Sequence, residues 1–132
     1  MRPRGWLLLL CAYLAVWQPL TLAATVSRTL DSLAMRWPEG VIELVARAAV
    51  VSLAVAAGWA FSIRSPAAPL LAQVALALCA VVSVQSLYWT WLPDDTMPGD
   101  RLPLALLAIA HAAGWIGYLR RSRRVRALAA AL

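Results

Sequence analysis

Charged residues cluster at the borders of four long apolar runs, and inside those runs polar side chains are rare. Residues 5–27, "GWLLLLCAYLAVWQPLTLAATVS", hold no charge and follow Arg2 and Arg4. At about 1.5 Å per residue such a run crosses a hydrocarbon core of roughly 30 Å. It predicts a first membrane helix over residues 5–26. Residues 28–40, "RTLDSLAMRWPEG", mix charge with apolar residues before a Pro-x-Gly breaker, which predicts a short interfacial loop. A second crossing spans 41–63 and is closed by Arg64 with Pro66 and Pro69, because prolines this close favour a turn over a continued helix. The third spans 70–92 and ends in "LYWTW", whose rings suit the headgroup boundary. After the acidic loop "PDDTMPGDR", the fourth crossing, "LPLALLAIAHAAGWIGYL", spans 102–119 and leads into a basic C-terminal tail, 120–132. The expected fold class is all-α: one membrane domain over 1–132, an integral bundle of four transmembrane helices.

Composition agrees with that pattern. Hydrophobic residues make up 63% of the 132 positions and charged residues 14%, against roughly 45–50% and about 25% in soluble domains. All twelve basic residues are arginine, and six acids leave a net charge of +6. Their placement sets an orientation through the excess of basic residues in cytoplasmic loops. With both termini cytoplasmic, the inner segments hold Arg2, Arg4, Arg64, Arg120, Arg121, Arg123, Arg124 and Arg126, and the outer loops hold Arg28, Arg36 and Arg101. Eight against three favours that orientation. A rival reading of the first run is a secretory signal peptide with "RPR" as its basic region. Its cleavage site, "TLAA", is poor because Leu22 stands where a small residue is wanted, and the run is long and aromatic for such a peptide.

The charge balance would raise nucleic acid as a partner in a soluble protein. Here the cluster "RRSRRVR" follows an apolar helix directly, so Arg120, Arg121, Arg123, Arg124 and Arg126 are expected to meet anionic lipid headgroups, each worth about 1 kcal/mol near the surface. Neither stacking platforms nor a recognition helix is evident, and no nucleic-acid partner is expected. Cys11 and Cys79 lie inside apolar runs and form no C-x-x-C pair, which argues against thiol exchange. Two cysteines and a single histidine far apart do not resemble a zinc ligand set. Haem would want a second axial ligand beside His111. No cofactor is expected.

The chain also resembles a family of small bacterial inner-membrane proteins known as domain of unknown function 2569. The likeness is carried by "RGWLLLL" with Pro19, by Glu43–Leu44 at the start of the second crossing, and above all by the ending "WIGYLRRSRRV". It covers nearly the whole chain. The chain departs from the family pattern at Gly117, where a proline is expected, near Arg47, where an asparagine is expected, and near Gln85, where an acid is expected. The resemblance implies four helices and an inner-membrane location, and no particular reaction.

The candidate chemistry lies in the few polar residues within the crossings. Measured from the outer boundary by helical rise, Glu43 lies about 3 Å deep, Arg47 and Gln18 about 9 Å, Gln85 about 10 Å and His111 about 13 Å. One polar layer is therefore expected in the outer half, with contributions from every helix. An arginine at the helix centre costs about 2.5–3.5 kcal/mol on insertion scales, and Glu43 four residues before Arg47 is the favourable order for an ion pair. Polar side chains in hydrocarbon face the bundle interior. Gln18, Glu43, Arg47, Gln85 and His111 are thus expected to converge, either as interhelical glue, as a small binding or ion-handling site, or as a face for a partner protein.

Small residues along the fourth crossing, Ala108, Ala112 and Gly114, are expected to permit close helix approach. Ser52, Ser62 and Ser83 are expected to bond back to their own helices. Trp6 and Tyr118 read as belt residues. Hydrolysis or group transfer would need a nucleophile beside a base, or paired carboxylates. Glu43 is the sole acid inside a crossing. The chain is therefore expected to be a non-enzymatic structural or accessory component of a membrane assembly, with a membrane-protein partner or a homo-oligomer left open. The alternative is a subunit of an oligomeric transporter or channel with an outer-half polar site.

Overall fold

Pro19 shapes the first helix. The computed structural model describes residues 5–32, 37, 39–88 and 99–130, and among these there is helix and no strand. α1 (Trp6–Ala12) passes into a π turn (Tyr13–Trp17) and then into α2 (Gln18–Ser32) without interruption. Proline has no N–H and its ring crowds the carbonyl four residues earlier, which here belongs to Ala15. The helix widens for one turn, and the Gln18 N–H bonds to the Tyr13 carbonyl five residues back.

α2 continues to Ser32, past the expected end at 26, and takes up residues 28–32 of the expected loop. Neither glycine nor proline interrupts residues 20–32, so nothing there breaks the helical ladder once it has formed. α3 covers Glu39–Ser62, α4 Ala68–Tyr88 and α5 Arg101–Arg121. Four helical stretches among the described residues are long and apolar enough to cross a membrane: Trp6–Ala24, Gly40–Ser62, Ala68–Gln85 and Arg101–Arg121. This is the signature of a multi-pass membrane protein.

The turn after α3 is tight because Arg64 adopts a left-handed backbone, φ 56°. The Ser65 N–H reaches the Ala60 carbonyl at 2.8 Å and the Arg64 N–H reaches the Phe61 carbonyl at 3.2 Å. That pairing of last carbonyls is the Schellman closure usually built on glycine. Pro66 then prevents the helix from resuming at once, and Pro69 sits in the first turn of α4, where a missing N–H is tolerated. Pro103 occupies the first turn of α5 in the same way.

The helices pack in chain order: the first helix on α3, α3 on α4, and α4 on α5. Neighbours run antiparallel. A Cβ placed on Gly58 near the end of α3 would stand 3.3 Å from the Cβ of Ala15, and Gln73 near the start of α4 accepts a 3.3 Å bond from Arg120 near the end of α5. The core joins Leu10 and Leu14 of the first helix to Ala54, Ala57 and Phe61 of α3, to Ala68, Ala72, Ala75 and Leu76 of α4, and to Leu119. Small side chains dominate on α3 and α4, so their backbones approach closely and dispersion contacts replace the hydrophobic drive that lipid cannot supply.

Residues 120–130 of the expected basic tail are structured. α5 runs to Arg121, two residues beyond the expected end at 119. Ser122 turns the chain (φ −64°, ψ 120°) and α6 (Arg123–Ala129) folds back against α4 and α5, with Val125 3% exposed in the core. Within what reads in sequence as a basic tail, Arg123–Ala129 is a short helix pinned by Val125 and Leu128. Arg2, Arg4, Arg36, Trp89, Trp91, Asp94 and Asp95 lie outside the described residues, as does the expected end of the third crossing at 89–92.

Candidate functional site

In a regular α-helix Tyr13 and Gln18, five positions apart, would sit about 140° apart around the axis. The π turn between them, with its five-residue hydrogen-bond step, brings them to one side. Gln18 Nε2 donates to the Tyr13 hydroxyl at 2.9 Å. One turn on, the Thr21 hydroxyl donates to the Gln18 carbonyl at 2.8 Å. Proline thus sets a polar face on the first helix. Gln18 is 8% exposed and is the one polar residue buried in the described part of the bundle.

This face opens onto a cavity of about 510 Å³ lined by all four membrane helices. The first helix contributes Tyr13, Trp17, Gln18, Thr21 and Leu22, and α3 contributes Arg47, Val50 and Val51. Leu76, Cys79 and Ser83 project from α4, and Leu104, Leu107 and His111 from α5. Leu76, Gln18, Val50 and Ala112 are buried and make the floor, whereas Trp17, Leu107 and His111 are exposed and make the rim. The cavity exists because the first helix packs on α3 and α5 packs on α4, while the seam between the first helix and α5 is bridged by rings. Tyr13 and His111 meet edge-on with centroids 5.0 Å apart. A ladder of rings continues down α5 toward its arginine end, from His111 to Trp115 at 6.4 Å and from Trp115 to Tyr118 at 6.0 Å.

Arg47 Nε donates to Glu43 Oε1 at 2.9 Å, one turn earlier on α3. Their side chains are 29% and 16% exposed. Each charge thus has its opposite within contact distance, the arrangement that makes an ion pair tolerable where water is scarce. Arg47 lines the cavity, and Glu43 holds it from just outside the wall.

Of the five polar residues expected to converge, Gln18, Arg47 and His111 line one cavity and Glu43 joins them through Arg47. Gln85 does not. It is exposed and absent from the wall, which α4 builds from Leu76, Cys79, Ala80, Val82 and Ser83. Nine residues separate Gln85 from Leu76, and at about 100° each this places them on opposite faces of the helix. Facing depends on rotation about the axis, which depth along the helix does not give.

Tyr13, Thr21, Cys79 and Ser83 belong to the site as well. The Pro19 signal could have revealed Tyr13, since a proline-induced π turn aligns residues five apart. Ser52 and Ser62 bond to the carbonyls of Ala48 and Gly58, as expected, whereas Ser83 lines the cavity. Gly114 has no neighbour within 4 Å of a notional Cβ, so it does not serve close packing, while Ala112 is buried and does. Tyr118 stacks edge-on with Trp115 and Trp6 is largely exposed. Among the arginines of the basic cluster, Arg120 reaches Gln73 and Arg126 donates to the Arg121 carbonyl at 3.2 Å. Arg123 and Arg124 are exposed on α6.

Comparison with models of known protein families, with curated proteins and with solved structures finds no match to the chain.

Proposed function

We propose that the chain is a non-enzymatic, multi-pass protein of the bacterial inner membrane, with both termini in the cytoplasm, that serves as a structural or accessory component of a membrane assembly. The observation that carries this reading is the open seam. Three helix contacts are close-packed, but the first helix and α5 leave a gap spanned by Tyr13 and His111 and flanked by exposed Trp17 and Leu107. A further helix, from a partner or a second copy, would complete the ring. The placement in the membrane is supported by charge: Arg64, Arg120, Arg121, Arg123, Arg124 and Arg126 belong to one end of the bundle, which the positive-inside tendency puts in the cytoplasm. The cavity then lies in the outer half. The resemblance to the domain of unknown function 2569 family points to the same membrane.

Extraction in native-lipid particles tests the assembly reading. The expected result is a defined oligomer or a reproducible membrane partner, with cysteine crosslinks from Leu107→Cys placing the contact at the seam. A strictly monomeric chain with no partner overturns it. A C-terminal reporter fusion is expected to read cytoplasmic, and a periplasmic signal would reverse the orientation.

A second reading, a subunit of an oligomeric transporter or channel, is favoured by polar groups from all four helices meeting in one cavity. Its test is flux in reconstituted vesicles. Arg47→Leu and His111→Leu should abolish it while expression stays normal, and unchanged flux in both removes the cavity from any transport role.

A further inference from the structure

The chemistry of the polar groups on the cavity wall points to the kind of molecule that fits it. Tyr13 uses its oxygen to accept the Gln18 amide N–H, so its own O–H is left to point at a further acceptor. Arg47 is a donor-only group on the cavity wall, already engaged through its Nε with Glu43. Thr21 has its hydroxyl proton committed to the Gln18 carbonyl. His111 and Ser83 each add a group able to donate. The polar side of the wall is therefore rich in donors.

Apart from the Gln18 amide and the Cys79 thiol, the rest of the wall is aliphatic or aromatic. Trp17, Leu22, Leu104 and Leu107 stand at the seam between the first helix and α5, and Trp17 and Leu107 are 58% and 66% exposed. A molecule bound there would meet donors on its inner side and apolar groups at the exit. The cavity volume, about 510 Å³, lies within the usual range of about 300–1,000 Å³ for small-molecule sites.

We propose that the cavity binds an amphiphile whose acceptor-rich head, carrying carboxylate or phosphate-ester oxygens, rests against Arg47, Tyr13 and His111 while its aliphatic chain leaves through the seam past Trp17 and Leu107. Oxygen acceptors of this kind suit a guanidinium and a phenol O–H because both supply only donors to them. The chain exit faces the space that acyl tails occupy around a membrane helix. This inference rests on the cavity being a site rather than packing, and not on the presence of a protein partner.

The test uses the full-length chain, reconstituted with phosphatidylcholine vesicles containing either oleate or phosphatidylglycerol, then washed in alkyl maltoside and weighed by native mass spectrometry. The wild type should retain one amphiphile. Leu107→Trp, which fills the exit, should abolish retention. Tyr13→Phe, which removes one donor and little volume, should lower it about three- to tenfold. Gln85→Leu, outside the cavity, should leave it unchanged. Circular dichroism and monodispersity establish that each variant is folded, and if Leu107→Trp fails there, Tyr13→Phe still decides. Equal retention by wild type and Tyr13→Phe, or retention by a folded Leu107→Trp, overturns the proposal. So does stabilisation by inorganic phosphate or acetate alone with no amphiphile retained, which would make the cavity a small-anion site. A chain that keeps the amphiphile but captures no partner sinks only the assembly reading, and the converse sinks only this one.

Discussion

The half of the bundle that holds Arg64 and Arg120 is drawn together by small side chains, whereas the opposite half is held apart by large and polar ones. At the first, Gly58 lies against Ala15, and Ala54, Ala57, Ala68, Ala72 and Ala75 are buried to leave almost no exposed surface. At the second, Gln18, Arg47 and His111 stand between the helices, the Tyr13 hydroxyl reaches them from the boundary between the halves, and a cavity remains. Lipid gives helices no hydrophobic reason to associate, so contact area and hydrogen bonds must do it. The alanine half relies on contact area. The polar half relies on directed bonds, which tolerate a gap that dispersion alone would not.

Filling the tight half should have the largest effect. Gly58→Leu forces a side chain into a contact where even a Cβ would lie 3.3 Å from Ala15 and 3.5 Å from the Cys11 carbonyl, and should cost about 3 kcal/mol of stability in detergent unfolding. If it is tolerated, the first helix does not pack where the structure places it. Breaking the ion pair comes next. Arg47→Leu should cost about 1–2 kcal/mol, between the values for exposed and for buried pairs, and adding Glu43→Gln should recover part of that loss. An unchanged unfolding midpoint for Arg47→Leu would show that the pair contributes nothing to the polar half.

Glycine provides a finer contrast. Gly117, in α5, has nothing within 4 Å of a notional Cβ, so Gly117→Ala should raise stability by about 0.5–1 kcal/mol through helix propensity alone. Opposite signs for Gly58→Leu and Gly117→Ala would locate the tight contact. Smallest of all, Gln85→Leu should stay within about 0.5 kcal/mol of wild type. A larger shift would mean that the exposed face of α4 meets something other than lipid.

Much of the architecture was legible beforehand. Runs of some twenty apolar residues ending in arginine or proline announce membrane helices because hydrocarbon leaves the backbone no other way to satisfy its hydrogen bonds. The pairing of Glu43 with Arg47 was legible for a local reason: residues four apart share a helix face whatever the tertiary structure. Helix ends were less so. The docking of α6 depends on contacts, since Val125 among arginines declares its burial only when α4 and α5 are in place.

By itself, then, the amino-acid order determined the class of the molecule, the four apolar stretches among the described residues that are long enough to cross a membrane, and the pairing of Glu43 with Arg47. Each of these follows from length, solvation and spacing along one helix. Only the tertiary structure decided that Gln18, Arg47 and His111 share a cavity while Gln85 faces away, that Tyr13 joins them through a π turn, and that the first helix and α5 leave a seam. Those outcomes depend on how each rod is rotated about its axis and how near small residues let its neighbours come, and neither quantity is local to any stretch of chain.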